Sequence, residues 1–173
     1  RNEYKTINQI FTVRLVLEQI CMPKVTLKDG INWVGVVDWN IRDFHGYITH
    51  RGSTYNAHLI QDEKTALVDT VKYNFCNELV AHIEELVSLD KIDYIIVNHV
   101  EMDHSSSLPT IAKLCPNAKI FSTARGKEEI IKHFGAEFER IEVVKSGDKI
   151  SLGKKTLTFL EAPMLHWPDS MFT

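Results

Sequence analysis

Apolar and polar positions change their period along this chain, and each change predicts an element. Ser53 to Ile60 and Thr65 to Thr70 read as two strands joined by the polar turn Gln61-Asp62-Glu63-Lys64, a hairpin. Phe75, Leu79, His82, Ile83, Leu86 and Val87 recur at three- and four-residue spacing, which predicts an amphipathic helix. Tyr94 to Asn98 is a short apolar run of the kind buried on both faces of a sheet. Ser105 is placed to cap a helix running through Ile111 to Leu114, stopped at Cys115-Pro116. Lys119 to Ser122 predicts another strand, and Lys127 to Phe134 a helix ended at Gly135. Glu142 to Lys145, Lys149 to Leu152 and Thr156 to Glu161 predict three strands, with turns at Ser146-Gly147-Asp148 and Gly153. Hairpins, then alternating strands and helices, then hairpins again point to an α/β (α+β) fold of mixed sheet layered with helices.

The bulk numbers narrow this little. The 173 residues suit one domain, and the net charge of -3 gives no attraction to nucleic acid or anionic membrane. Cys21, Cys76 and Cys115 are widely spaced and odd in number, which argues for a reducing, cytoplasmic setting and against a disulfide framework. Residues 1–21 carry the apolar run Ile7, Ile10, Phe11, Val13, Leu15, Val16 and Leu17, interrupted by Arg14 and too short to span a bilayer. They are expected to be a leader outside the folded domain, which then occupies 22–173.

Candidate chemistry concentrates in His99-Val100-Glu101-Met102-Asp103-His104, directly after the apolar strand, with His166 beyond the run Leu157 to Glu161. In an extended loop His99, Glu101 and Asp103 would project together while Val100 and Met102 face the core. His104 then points elsewhere, toward a second ion or a supporting role. A lone Asp-His pair after a strand is ordinarily a cap or a surface hydrogen bond, but the whole set with His166 reads as a site for two metal ions. Two carboxylates among three alternating donors favour iron or manganese over a three-histidine zinc site. No cysteine has ligand spacing, which argues against an iron–sulfur cluster.

His-x-Glu-x-Asp-His after an apolar strand resembles the signature of the metallo-β-lactamase superfamily, whose hydrolases carry His where Glu101 stands. The Glu variant, with Trp39 to Gly46, Gly52-Ser53-Thr54-Tyr55-Asn56 and Ala162 to Met171, resembles the flavodiiron proteins from about Ile31 to the last residue. The resemblance implies an αββα sandwich, incomplete at the C-terminus, and a non-haem diiron site that reduces O2 to water or NO to N2O. It implies that His99, Glu101 and His166 hold one iron and Asp103 the other, with His104 beside the second. It places the bridging Asp further on than Asp169, so Asp169 is expected outside the ligand set. A flavodoxin-like domain holding FMN, a donor such as rubredoxin or a reductase, and a homodimer or homotetramer complete the implied picture. His45 lies in the stretch that lines the implied substrate pocket, as a proton or hydrogen-bond donor or simply as a turn histidine. Tyr47 and Trp167 either close off water or merely pack, and His50, His58, His82 and His133 are expected to be structural or solvent-exposed. Two other readings stand beside this one: a binuclear hydrolase of the same superfamily, and an inactive fragment that only binds metal.

Overall fold

A computed structural model describes residues 25–173, so the expected leader lies outside the described residues. The order begins with β1 (Val25–Lys28), β2 (Ile31–Trp33) and β3 (Val36–Asp38), then β4 (Asp43–Phe44) and β5 (Tyr47–Ile48). It continues with β6 (Ser53–Tyr55), β7 (His58–Gln61), β8 (Thr65–Val68), helix α1 (Cys76–Glu84) and β9 (Tyr94–Ile96). The short helices α2 (Met102–Ser105) and α3 (Leu108–Leu114) lead to β10 (Lys119–Ser122), α4 (Ala124–Phe134) and β11 (Glu142–Val143). Four short strands follow: β12 (Lys149–Ser151), β13 (Thr156–Thr158), β14 (Leu160–Glu161) and β15 (Met171–Phe172).

Seven strands form one mixed sheet in the order β1-β2-β7-β8-β9-β10-β11. The pairs from β1 to β8 are antiparallel; from β8 to β11 they are parallel. Because side chains alternate across a strand, the paired residues Leu67, Ile95 and Ile120 share one face. They pack there with Leu79 and Ile83 of α1, Ile111 of α3 and Ile130 of α4. Ala66, Val68, Ile96 and Phe121 line the other face, against Leu152, Leu157, Phe159 and Met171 from the late strands. The expected mixed α/β architecture is therefore present, and β9 is buried on both faces as its apolar run requires. Among the described residues the layers are helices, central sheet and β ladders.

Several boundaries differ from expectation. The run Ser53 to Ile60 is two strands: β6 pairs with β3 in a separate ladder, while β7 stays in the large sheet. The bend is set by close backbone approach, since a Cβ on Gly35 would lie 2.2 Å from the Tyr55 carbonyl oxygen. Thr156 to Glu161 also divides, at Phe159, which is buried and donates its N–H to the Asp148 carbonyl. Ser105 does not cap a helix. It lies inside α2, and its hydroxyl donates to the Val100 carbonyl at 2.6 Å. Met102 starts α2 and is exposed, not core-facing, because the chain turns helical before a third alternation is complete. Strands β1 to β5 and β15 have no counterpart in the sequence-based expectation. The helix predicted from Lys127 starts earlier, at Ala124, because the Thr123 side chain accepts from the Gly126 N–H and caps it.

Candidate metal centre

Strand β9 ends at Ile96, and the backbone changes from extended to helical by Met102. Val100 is buried, Glu101 is the N-cap of α2, and the Ser105 N–H and His104 N–H both donate to the Glu101 carbonyl at 2.9 Å. This tight corner turns Glu101 and Asp103 toward one cleft of about 570 Å³, which they line with His45, Lys72, Trp167 and Asp169, while His99 lies against Glu101.

Glu101 is the hub. Its Oε2 lies 3.0 Å from His99 Nε2 and 3.1 Å from His166 Nε2, while Oε1 lies 2.8 Å from His45 Nε2. Two sets of three donors result, each with all ligand atoms within 4.8 Å of one another: His99, Glu101 and His166, and His45, Glu101 and Asp103. His104 joins neither set. Its Nε2 is 3.4 Å from Asp103 Oδ2, and its buried Nδ1 has no hydrogen-bond partner. Asp103 Oδ1 is likewise buried and without a partner. Buried polar atoms left unpaired are costly, so a cation there would satisfy what the protein alone does not. Imidazole and carboxylate donors with this spacing fit iron, manganese or zinc. The described cysteines, Cys76 and Cys115, are buried and belong to neither set.

His99 has a partner on each ring nitrogen. Nδ1 lies 3.2 Å from Asp169 Oδ2, and the same oxygen accepts the Val100 N–H at 2.7 Å. Asp169 is thus the carboxylate behind the His99 imidazole, the arrangement that fixes tautomer and ring orientation where such a ring holds a metal. Asp169 belongs to neither donor set, and its position three residues after His166 is the one signal in the sequence. The charges follow the contacts. Burial by itself would lower the His99 pKa, but the hydrogen bonds to Asp169 and Glu101 outweigh it and raise it. Burial would raise Glu101, but its bonds to His99 and His166, with the nearby His45, bring it below the usual value. Asp169 is lowered in the same way, chiefly by His99 and the Val100 N–H against its own burial. With both ring nitrogens facing carboxylates, the charged form of His99 is favoured. A metal held at Nε2 would take the place of the proton there, with Nδ1–H directed to Asp169.

The remaining donors arrive on exposed segments. His45 and Gly46 form the two-residue turn between β4 and β5, with φ of 53° and 76°. Two positive φ values are what a tight hairpin of this length requires. His166 stands in the loop from Ala162 to Ser170, its side chain 61% exposed, with its ring 4.9 Å from that of His99. The Trp167 ring packs beside both, 5.6 Å from that of His99 and 6.3 Å from that of His166. Tyr47 projects into solvent and is not among the residues that line the cleft. His82 is buried, as the helix pattern suggests, with Nδ1 near the Val34 and Gly35 carbonyls.

Residues 54–173 match the family model described as ODP family beta lactamase. The chain belongs to that family. It is 53% identical over 151 residues to a nitric oxide reductase of Moorella thermoacetica, covering 86% of this chain and 38% of that protein. It is 46% identical to a rubredoxin-oxygen oxidoreductase of Megalodesulfovibrio gigas, covering 87% of this chain and 38% of that one. The fold superposes on the crystal structure of the flavodiiron protein from Giardia intestinalis with a TM-score of 0.83 and 40% identity, covering 87% of this chain and 37% of that one. The resemblance carried by the motifs is borne out, and the chain spans well under half the length of these relatives. Among the described residues no helix is long and apolar enough to cross a membrane.

Proposed function

We propose that this chain is the metal-binding part of a non-haem diiron oxidoreductase that reduces O2 to water, NO to N2O, or both. The observation that carries the reading is the Glu101 carboxylate, whose Oε2 meets both His99 and His166. An oxygen donor where a hydrolase of this superfamily has a third imidazole makes the site harder and more negative, which suits iron. The names of the similar proteins, nitric oxide reductase and rubredoxin-oxygen oxidoreductase, support the same chemistry.

His99, Glu101 and His166 would hold one iron, and Asp103 the other with His104 beside it. Such a pair would supply electrons, one from each ion, to a bound diatomic molecule. The chain's own residues have distinct tasks. Asp169 holds the His99 ring so that Nε2 faces the site. Phe44, Val100 and Trp167 give the cleft apolar walls that limit water. His45 Nε2, at 2.8 Å from Glu101 Oε1, can hold a proton at the cleft and give it to reduced product. Electrons would arrive through FMN, from rubredoxin or a reductase, in a cytoplasmic homodimer or homotetramer.

Anaerobic reconstitution with ferrous iron, using chemically reduced FMN as donor, tests the reading. Two irons per chain with consumption of O2 or NO are expected. Two zinc ions with ester hydrolysis and no gas consumption would assign the site to a hydrolase instead. One ion or none per chain would mean that the chain as given cannot do two-metal chemistry.

A further inference from the structure

His45 reaches the cleft at the tip of a hairpin that has little of its own to hold it there. Strands β4 and β5 are two residues each, and Tyr47 and Ile48 are 75% and 74% exposed. A two-stranded hairpin without a packed face is marginal in water. Its position must therefore be set elsewhere, and two places set it. The first is the base. The chain leaves the β3–β6 ladder after Asp38 and returns to it at Ser53, the residue paired with Asp38. Asp38 Oδ1 accepts the Asn40 and Ile41 N–H groups, both at 3.1 Å, and so fixes the first bend of the outgoing limb. The Ile41 carbonyl accepts the Thr49 hydroxyl at 2.8 Å, which ties that limb to the returning one. The second place is the seat. Asp38 Oδ2 accepts the hydroxyl of the buried Tyr55 at 2.9 Å, and the Tyr55 ring lies 6.2 Å from that of Phe44. The Phe44 ring in turn meets the His45 ring edge-on at 4.0 Å. One carboxylate thus holds both the base of the hairpin and the rings beneath its tip.

We propose that Asp38 and Tyr55 are positioning residues for His45, and that they hold its imidazole on Glu101 from behind the hairpin. Neither is among the residues that line the cleft. Asp38 orders the backbone that carries the tip, and Tyr55 supports the Phe44 ring beside it. Without the carboxylate, two N–H groups and a buried hydroxyl lose their acceptor. His45 is then the first side chain released, because it is already 46% exposed and touches the body of the protein through Glu101 Oε1 at 2.8 Å. The segment from His99 to His104 keeps its place, since it follows β9 and not the β3–β6 ladder. A proton-holding group fixed before the reaction acts more effectively than one that must be ordered at each turnover. The inference rests on reading His45 as that group, while the placement of the ring is independent of the redox chemistry.

Diethyl pyrocarbonate acylates accessible imidazoles, and peptide mapping by mass spectrometry gives a rate for each histidine of the metal-free chain at one pH. Asp38→Ala removes all three bonds, whereas Asp38→Asn keeps the oxygen that accepts from Asn40 and Ile41. Tyr55→Phe keeps the ring against Phe44 and removes only the hydroxyl. In Asp38→Ala the His45 rate is expected to rise about 10-fold, the scale set by lost bonds to a charged group. His166 should keep its rate and the buried His82 should stay slow. Asp38→Asn and Tyr55→Phe are expected between wild type and Asp38→Ala. An unchanged His45 rate would mean that the hairpin places itself, and an equal rise at every histidine would mean a general loosening of the fold. Either result overturns the proposal, and where Asp38→Ala does not fold the same two results in Tyr55→Phe decide. In the iron-loaded protein, Asp38→Ala should lower kcat yet add nothing to His45→Gln, as expected of two residues that act through one group. A full further loss in the double variant would also overturn it. A His45→Gln chain with wild-type turnover would instead remove His45 from the chemistry and leave its placement by Asp38 standing.

Discussion

The segment His99 to His104 and the loop Ala162 to Ser170 bring donors to one carboxylate, yet they are built in opposite ways. In the first, His99 is 8% exposed and Asp103 7%, and the backbone leaves a strand buried on both faces. In the second, Met164 is 73% exposed and Leu165 71%, and the loop is closed on itself by short-range bonds such as the Met164 N–H to the Trp167 carbonyl. One segment is held by the sheet; the other is held largely by itself and by what it touches at the site. The same contrast separates Asp169 from His166, although only two residues lie between them. Asp169 is buried, accepts from Val100, and has its carbonyl tied to the Thr123 hydroxyl at 3.1 Å. The proposed ligand set thus has a stiff, buried half and an exposed half.

The strongest way to break this division is at the residue both halves share. Glu101→Gln keeps the shape but loses the charge that His99, His166 and His45 all face. Loss of metal affinity of more than about 100-fold is expected, beyond the range typical of supporting contacts. Competition against a chelator of known affinity measures it, and a change under tenfold would show that Glu101 is no ligand.

Next in size is Asp169→Ala, which tests the stiff half alone. It frees the His99 ring and leaves the buried Val100 N–H unpaired. Metal affinity should drop by about 10- to 100-fold, and the metal-free chain should lose roughly 1–3 kcal/mol of stability from the orphaned donor. His166→Ala should weaken metal binding without that stability cost, because its side chain is mostly solvent-exposed. Equal destabilisation by the two variants, measured by denaturant unfolding, would erase the contrast.

The protonation of His99 gives a smaller, signed effect. Its pKa is raised in the metal-free fold, so its stabilising contribution is full below the ordinary 6.5 and is lost as pH climbs through the raised value. Glu101 and Asp169 are lowered, so theirs is full above the ordinary 4.5 and 3.8 and is lost as pH falls through the lowered values. All three contributions coexist between pH 4.5 and 6.5. His58, lowered by burial, and Asp69, pushed up to about 6 by burial, shift global stability on their own account. The useful quantity is therefore the melting-temperature gap between wild type and His99→Gln. That gap should be widest inside the window and narrow above it, while metal affinity rises over the same range as the competing proton leaves. A gap that widens toward pH 8 would contradict the raised pKa of His99.

These contrasts also explain what was legible in the sequence. The stiff half announces itself because its donors are adjacent in the chain and follow an apolar strand, so a local pattern carries them. The hairpin of β7 and β8 and the stop of α4 at Gly135 are local in the same sense. What the sequence hides depends on approach between distant segments. The break in Ser53 to Ile60 arises from Gly35 lying against Tyr55, and the carboxylate behind His99 comes from 70 residues away. Met102 misleads for a different reason. Alternation assumes an extended chain, and hydrogen bonds to the Glu101 carbonyl start a helix there instead.

The smallest test concerns the backbone of the exposed half. Met164 adopts a φ of 64° with its side chain in solvent, so the loop bears a conformational cost with no packing in return. A left-handed conformation costs a residue with a Cβ roughly 1–2 kcal/mol, while Gly gives back about 0.5–1 kcal/mol in unfolded-state entropy. Met164→Gly should therefore be neutral to about 1 kcal/mol stabilising on balance. Met164→Val, whose branched Cβ suits this region least, should destabilise and also weaken metal binding, because His166 sits two residues further on in the same turn. Thermal unfolding with and without metal separates the two effects. If Met164→Val lowers stability but leaves metal affinity untouched, the loop places His166 independently of its backbone at Met164. The exposed half would then be stiffer than its surroundings imply.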